Sequence, residues 1–473
     1  MEPAMQPTSD APRSRFRLPP WLLILLVVVV LATGVAVVLA RQGDDPGAEV
    51  GAGAKDSTTT TSVPEAAPET SPTRPASPSK PGISSDVSAA QRALFEELMA
   101  QTSEIRGLSW KESLNLRIVS HDELVRRHAE ATARDLDPTR TAATEATLKL
   151  LGLFPADVSY QRLLDDIVRS GAVLGFYDSK TRELFVKAEG ELDSQVKATI
   201  VHEMVHALAD QNFDYGPRID ALDRADRAEE SFAFSSLLEG DARLTETLWM
   251  DRHLDPLEAL AIALGLGGSG DGGGEALLNA PPYFVKSLLF PYTEGLAFVE
   301  SLHRAGGFAA VDGAYRRPPT STEHIIHPNT YSSGQTPAVP PLPDVAAATG
   351  CRAVRSGMMG EFDMRELLGA ELGVSEAQQA AHGWNGDAYS LVRCGNTLGL
   401  ADRWQTDPGV DASRLADALS RWARGWSGGR GPGADGRFSG PSGAGRIART
   451  GNQVELVLAR DGETADRLVR ALG

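Results

Sequence analysis

The segment from Val201 to Leu208 constrains the fold of this chain most, because it places the motif His-Glu-x-x-His inside an apolar run with helical spacing. Histidines four residues apart lie one turn above each other on an α-helix, so both imidazoles can reach one metal ion. The glutamate between them points to nearly the same place and can act as a base on a water molecule. The motif therefore predicts a helix that holds a metal through His202 and His206, with Glu203 as general base.

The residues around the motif predict where this helix begins and what precedes it. Apolar spacing places the helix from Asp193 or Ser194 to about Asp210, and two strand-like runs at 172–177 and 183–187 come before it. These runs predict a β-hairpin. The second run fits an edge strand beside the metal, which can pair with an extended peptide; a hairpin that only supports the helix is an equal alternative.

A catalytic zinc site also needs a third protein ligand and one open position. Alanine at position 209 and asparagine at position 212 exclude the class with a third histidine in the same motif. A carboxylate from the following helical stretch, about residues 224–252, is the expected ligand. The candidates are Glu229, Glu230, Glu239, Asp241 and Glu246. Glu239 stands out, because the small residues Gly240 and Ala242 beside it let two helices approach closely.

The pattern Glu-Gly-x-Ala at Glu239 resembles the third-ligand motif of the gluzincin metallopeptidases, the superfamily of thermolysin. Together with His-Glu-Met-Val-His-Ala-Leu-Ala-Asp-Gln-Asn-Phe-Asp, it resembles a group of bacterial, largely actinobacterial, membrane-anchored zinc metallopeptidases. The resemblance covers about residues 170–330, and residues 383–387 more loosely. It implies a mainly helical α+β fold with a gluzincin-like core behind the hairpin, a Zn²⁺ ion, and hydrolysis of peptide bonds.

Within that reaction, Glu203 is expected to take a proton from the attacking water and pass it to the leaving amine. The developing oxyanion needs a further hydrogen-bonding group, and His324, His327 and Tyr292 are the candidates. His327 is the preferred one, because Pro328 follows it in a rigid segment, although a core or capping histidine is an equal alternative. Asp241 is expected either to orient a ligand histidine or to be a solvated helix residue.

The N-terminal part predicts a membrane anchor. Residues 21–40 are almost wholly apolar, and about 20 helical residues span about 30 Å, the thickness of the hydrocarbon core. Three arginines precede this segment and only Arg41 follows it closely, so residues 1–20 are expected to be a short cytoplasmic tail. Residues 41–84 are rich in Pro, Ser and Thr and predict a disordered linker. A signal peptide cleaved after Ala40 is the alternative.

The remaining sequence is divided into a zinc metallopeptidase domain at 85–345 and a C-terminal α+β module at 346–473. A formal charge of −17 without a basic stripe argues against nucleic acid as a partner. Cys351 and Cys394 can form one disulfide outside the cytosol, or stay two buried thiols.

Two functions are consistent with these features. The first is an extracytoplasmic, single-pass zinc endopeptidase that acts on a peptide or protein of the cell envelope. The second is a catalytically silent envelope protein, in which zinc only joins two helices and the C-terminal module binds or scaffolds. Retention of Glu203 favours the first, because a structural zinc site needs no base there.

Overall fold

The computed structural model describes residues 82–83, 87–135, 137–169, 174–187, 192–263, 279–429 and 431–473. In these ranges the chain is mixed α+β, and helix predominates over strand, as the sequence predicts. The predicted tail, the membrane helix at 21–40 and nearly all of the linker lie outside the described ranges. Among the helices that are described, none combines the length and apolarity needed to cross a bilayer.

The described parts of residues 80–253 and 270–473 form one compact unit, and the helix at 256–263 belongs to another. The described helices are α1 (Ala89–Arg106), α2 (His121–Asp135), α3 (Pro138–Leu151), α4 (Tyr160–Arg169), α5 (Ser194–Phe213), α6 (Gly216–Arg224), α7 (Ala228–His253), α8 (Pro256–Ala263), α9 (Pro282–Arg316), α10 (Thr322–Ile326), α11 (Pro328–Ser333), α12 (Val345–Thr349), α13 (Gly360–Leu372), α14 (Val374–Ala381), α15 (Ser413–Trp426) and α16 (Gly462–Leu472). The described strands are β1 (Asn115–Val119), β2 (Gly175–Asp178), β3 (Glu183–Lys187), β4 (Arg352–Gly357), β5 (Trp384–Cys394), β6 (Thr397–Thr406), β7 (Arg437–Gly440), β8 (Gly443–Thr450) and β9 (Gln453–Ala459).

A small three-stranded sheet precedes the helix of the His-Glu-x-x-His motif. Strands β2 and β3 pair antiparallel, which confirms the predicted hairpin. The prediction that residues 183–187 form an edge strand is wrong, because the strand order is β1-β3-β2 and β1 pairs parallel with the other side of β3. The hairpin strand on the free edge is therefore β2, and it is β2 that packs most on α5.

Helix α5, which carries the His-Glu-x-x-His motif, is packed centrally among its neighbours. The Asp193 side chain caps it by accepting a hydrogen bond from the backbone N–H of Val196 at 2.9 Å, as expected for an N-cap carboxylate. The helix continues to Phe213, one turn past the predicted end. It packs against α1, α7 and the small sheet, which explains why its buried residues lie on more than one face.

Helices α7 and α9 cross at very close range. A Cβ atom on Gly240 of α7 would lie 2.2 Å from the carbonyl oxygen of Gly295 in α9, and a Cβ on Gly295 would lie 2.3 Å from the carbonyl oxygen of Ser236. Such distances are possible only without side chains. Gly240, the small residue beside Glu239, therefore allows α9 to approach α7. The sequence predicted instead that it lets the two helices with the ligands approach each other.

The C-terminal segment contains a six-stranded antiparallel sheet with the order β4-β5-β6-β9-β8-β7. Cys351 and Cys394 form a disulfide with a Cα–Cα distance of 4.6 Å, which confirms the predicted pair. Tryptophans of this segment, including Trp384 and Trp404, are buried in a core that also contains Leu148 of α3. Residues on both sides of the predicted boundary at 345 thus share one hydrophobic core.

Candidate metal centre

Helices α5 and α7 bring together three side chains that could hold a metal ion. His202 Nε2 lies 3.2 Å from His206 Nε2 and 3.1 Å from Glu239 Oε2, and His206 Nε2 lies 3.5 Å from the same oxygen. One ligand atom from each residue fits within a group no wider than 4.8 Å. Two imidazole nitrogens and one carboxylate oxygen are the donor set of many catalytic zinc sites, so the three residues chosen from the sequence converge as expected.

The other carboxylates proposed as the third ligand have different partners. Glu229 accepts hydrogen bonds from the backbone N–H and the hydroxyl of Thr322. Glu230 forms an ion pair with Arg227. Neither residue belongs to the three-residue group, so Glu239 is the one of these three carboxylates that joins both histidines.

Glu246, two turns after Glu239 on α7, orients the first histidine. Its Oε2 atom lies 3.0 Å from His202 Nδ1 and 2.7 Å from Arg243 Nη1. This contact leaves Nε2 of His202 directed toward His206 and Glu239. The sequence predicted Glu246 only as an alternative ligand, although residues seven apart share a helix face and this spacing could have indicated the orienting role.

The proposed orienting role of Asp241 is wrong. Its carboxylate accepts hydrogen bonds from Arg106 Nε at 2.9 Å and from the Tyr315 hydroxyl at 2.8 Å. Arg106 also contacts Asp312, so one buried arginine joins α1, α7 and α9. Asp241 therefore holds three helices together on the side of α7 that faces away from His202.

Electrostatics at the centre favour a positive charge between two carboxylates. Burial acts to lower the pKa of His202, but Glu239 and Glu246 outweigh it and raise that pKa to about 10. Burial likewise acts to raise the pKa of Glu239, but His206 and His202 hold it well below its usual range. A metal cation bound at Nε2 of His202 would replace the proton there and neutralise the charge of Glu239 in the same way. The residues present therefore fit a divalent metal ion.

Glu203 is held by the free edge of the hairpin. Its Oε2 accepts a hydrogen bond from the backbone N–H of Tyr177 in β2 at 2.8 Å. Gly175 covers the same side chain, and a Cβ atom there would lie 3.7 Å from Cγ of Glu203 and 2.9 Å from the carbonyl oxygen of Phe185. Burial raises the pKa of Glu203, although His206 and His202 oppose this shift. A carboxyl group with a raised pKa is suited to accept and release a proton near neutral pH.

A second contact fixes β2 against α5. The Tyr177 hydroxyl donates to Asp210 Oδ2 at 3.0 Å, and the other oxygen of Asp210 accepts from the backbone N–H of Gly216 at 3.3 Å. Asp210 lies one turn after His206 on the same helix. Tyr177 therefore fixes β2 against α5 through two contacts: its backbone N–H donates to Glu203 and its hydroxyl group donates to Asp210.

Tyr292 of α9 lies over the metal-binding residues. Its ring stacks on the ring of His202 with centroids 6.1 Å apart, and its hydroxyl group lies near the carboxylate of Glu239. Glu239 and burial together raise the pKa of Tyr292 well above its usual value, so the phenol keeps its proton at neutral pH. The residue is nevertheless 41 % exposed. It combines a hydrogen-bond donor with access from solvent, as a group that contacts substrate requires.

The two histidines proposed for the same role have partners elsewhere. His327 Nε2 lies 3.1 Å from Glu361 Oε1 and is also near Arg365, both on α13. His324 contacts the backbone N–H of Thr320 and the carbonyl oxygen of Gln335. The preference for His327 is therefore wrong in this structure, and Tyr292 is the candidate that the fold brings to the metal-binding residues.

Two cavities adjoin Tyr292 and Leu288. The larger has a volume of about 1040 Å³ and lies against α2, α3 and α4. The smaller has a volume of about 460 Å³ and is lined by Glu239 as well as by Tyr292. Tyr292 therefore borders two cavities with space for a ligand.

Comparison with known proteins gives one match. A family model described as "Domain of unknown function (DUF8575)" matches residues 349–469, which span the six-stranded sheet and its helices. No curated protein and no solved structure matches the chain. The residues of the candidate metal centre lie before the matched range.

Proposed function

We propose that this protein is a zinc-dependent peptidase whose ligands are His202, His206 and Glu239. The observation that carries the proposal is the convergence of these three donors beside Glu203, which the hairpin edge holds in place. A structural zinc site would need neither a buried glutamate at that position nor a neighbouring tyrosine donor. The resemblance to gluzincin metallopeptidases points to the same donor set.

When bound, the zinc ion would lower the pKa of a water molecule and polarise the scissile carbonyl group. The residues of the chain supply the proton transfers. Glu203 accepts a proton from the attacking water at a carboxylate oxygen and donates it to the nitrogen of the leaving amine. Tyr292 donates a hydrogen bond to the oxyanion from its hydroxyl group. Glu246 keeps the Nδ1 proton of His202 in place throughout.

The cavities support an endopeptidase rather than an enzyme that trims chain ends. A peptide held at Glu239 would find space in the cavity of about 460 Å³, which Glu239 lines, and Tyr292 also borders the cavity of about 1040 Å³. The outer edge of β2 lies beside Glu203, and an extended substrate would pair there through backbone groups other than the Tyr177 N–H, which Glu203 engages.

We further propose that the peptidase acts outside the cytoplasm, anchored by residues 21–40. The apolar length of this segment and the arginines before it support this orientation. The disulfide between Cys351 and Cys394 supports it independently, because such bonds persist in oxidising compartments. The substrate is then a peptide or protein of the cell envelope.

The decisive experiment compares full-length wild type, purified in mild detergent, with Glu203→Gln and Glu239→Gln. We expect Glu203→Gln to retain stoichiometric zinc and to lose roughly 10³-fold in peptide hydrolysis, as for removal of a general base. We expect Glu239→Gln to lose zinc. Elemental analysis and a broad peptide library supply the two readouts.

Glu230→Gln is the matched control, because Glu230 lies on the same helix as Glu239 but pairs with Arg227. This variant is expected to keep both zinc and activity. Wild-type protein without stoichiometric zinc would contradict the metal site. Zinc without any hydrolysis would instead support the silent envelope protein, in which the metal only joins α5 and α7.

A further inference from the structure

The smaller cavity beside the metal centre connects Glu239 and Tyr292 with Asp363 of α13. Its volume of about 460 Å³ is within the range of small-ligand pockets. Because Glu239 and Asp363 line the same confined space, a side chain of a substrate held at the metal centre has access to Asp363.

The charges that line this cavity are not balanced. The positively charged side chain that lines the cavity, Arg355, forms an ion pair with Asp226, with Nη2–Oδ1 and Nε–Oδ2 distances of 2.6 and 3.1 Å. Glu239 belongs to the metal centre. Glu229 accepts hydrogen bonds from Thr322, and burial raises its pKa well above the usual value, so it carries no charge at neutral pH. Asp363 remains, and among the ion pairs of the described residues none includes it.

The surroundings of Asp363 compensate its charge only in part in the free protein. Its Oδ1 atom accepts a hydrogen bond from the Tyr283 hydroxyl at 2.7 Å, which is a neutral donor. Burial, with a further contribution from Asp387 and Glu366, raises the pKa of Asp363 to about 7, although the Tyr283 hydrogen bond and Arg355 oppose this shift. A bound cation would remove this penalty, because an opposite charge at close range favours the ionised carboxylate.

The walls of the cavity determine the shape of a suitable cation. Apolar side chains of Leu148, Leu151, Phe232, Leu288 and Met358 line it. Such walls cover an aliphatic stem, as the stems of lysine and arginine are covered in protein interiors. A short cation such as an α-amine would leave this apolar surface without a partner.

We propose that the smaller cavity is a specificity pocket that takes a lysine or arginine side chain of the substrate, with Asp363 as the counter-charge. This inference rests on the proposed peptidase function, and it names the substrate class of the same site. Asp363 therefore acts by binding and takes no part in the proton transfers.

The test uses N-acetylated peptides that differ only in lysine or norleucine at each position around the cleaved bond. Norleucine has the same stem without the ammonium group. We expect wild type to prefer lysine at one position by about tenfold in kcat/KM, and Asp363→Asn to reduce the ratio to about one. Glu366→Gln, three residues further on the same helix, is the matched control and should keep the preference.

The Asp363→Asn variant keeps a side-chain oxygen that can accept the hydrogen bond from Tyr283. Thermal melting and zinc content check that this variant is folded. If Asp363→Asn does not fold, the pocket can still be tested on the wild-type protein alone. Butylguanidine should inhibit wild type at a concentration about tenfold lower than butan-1-ol. Equal inhibition by the two compounds would overturn the proposal.

Binding of the same peptides to zinc-loaded Glu203→Gln separates the two levels of inference. Hydrolysis without lysine preference, or a preference that survives Asp363→Asn, overturns the pocket but leaves the peptidase. Lysine-selective binding without any hydrolysis by wild type contradicts the peptidase but keeps the cationic pocket. Discrimination that appears only when the N-terminus is unblocked would assign the cavity to an α-amine and reject the side-chain pocket.

Discussion

His202 is the residue on which the candidate site is built, because both of its ring nitrogens are engaged by α7. Glu239 contacts Nε2 and Glu246 contacts Nδ1, and the two glutamates are two helical turns apart. Helical spacing is consistent with this shared face, but the sequence predicted Glu246 only as an alternative third ligand. The same geometry places Asp241, two residues after Glu239, on the other side of α7, where it meets Arg106. The pairing with Arg106 joins residues 135 positions apart, and no local pattern in the sequence indicates it.

Tyr292 provides the residue-scale prediction. Removal of its hydroxyl in Tyr292→Phe keeps the ring on His202 but eliminates the donor for the oxyanion. We expect kcat to fall by about 10²-fold with little change in KM or zinc content, because the hydrogen bond is needed mainly in the transition state. Steady-state kinetics with one good peptide substrate measures both constants.

Tyr331→Phe is the control for this change. Its hydroxyl donates to the carbonyl oxygen of Arg317, away from the metal-binding residues, so the variant should retain the wild-type kcat. If Tyr292→Phe also retained it, the oxyanion donor would have to be another group.

At the scale of elements, local patterns predicted the parts but not their arrangement. The N-cap of α5 and the β2–β3 hairpin follow from residues close in the chain, and both are confirmed. The position of β3 in the sheet depends on β1, which pairs with it from 68 residues upstream. A short strand in a loop-rich region gives no signal of such a parallel partner. The sequence therefore predicted the wrong edge, and with it the wrong strand beside Glu203.

The crossing of α7 and α9 gives a prediction about an element pair. A Cβ atom at position 240 would lie 2.2 Å from a backbone oxygen of α9, so Gly240→Ala must push the helices apart. Tyr292 lies one turn before Gly295 and would move away from Glu239. We expect a loss of about 1–3 kcal/mol in the free energy of unfolding, together with a lower kcat. Urea denaturation and kinetics on the same preparation measure the two effects.

Gly313→Ala is the matched control on α9. A Cβ atom there meets no neighbouring atom within 4 Å, and its φ angle is not in the left-handed region. The added methyl group should therefore be neutral or raise the unfolding free energy by up to about 1 kcal/mol. Equal stability of the two alanine variants would show that the helices do not need the glycine contact.

At the scale of the whole molecule, helices α3 and α9 share one hydrophobic core with the C-terminal sheet. Leu148 and Phe284 share a core with tryptophans of the sheet, and Trp426 donates to the carbonyl oxygen of Leu150 at 2.9 Å. Asp363, proposed to select the substrate, lies in the C-terminal segment, while Glu239 lies on α7. The sequence predicted that the C-terminal segment is α+β, but it did not predict that this segment contributes Asp363 to the cavity. Contacts between distant segments leave no local pattern in the sequence.

The disulfide of the C-terminal segment tests how far this dependence extends. Cys351 and Cys394 enclose a loop with a sequence separation of 43, and they connect the start of β4 to the end of β5. We expect the double variant Cys351→Ser/Cys394→Ser to lose about 3–4 kcal/mol of unfolding free energy, since the open chain gains entropy when it unfolds. Denaturant titration should give the same loss for wild type in reductant, and reductant should not change the double variant further. Zinc content should remain stoichiometric, because the ligands lie on α5 and α7; loss of zinc on reduction would mean that the sheet is required to hold the metal centre together.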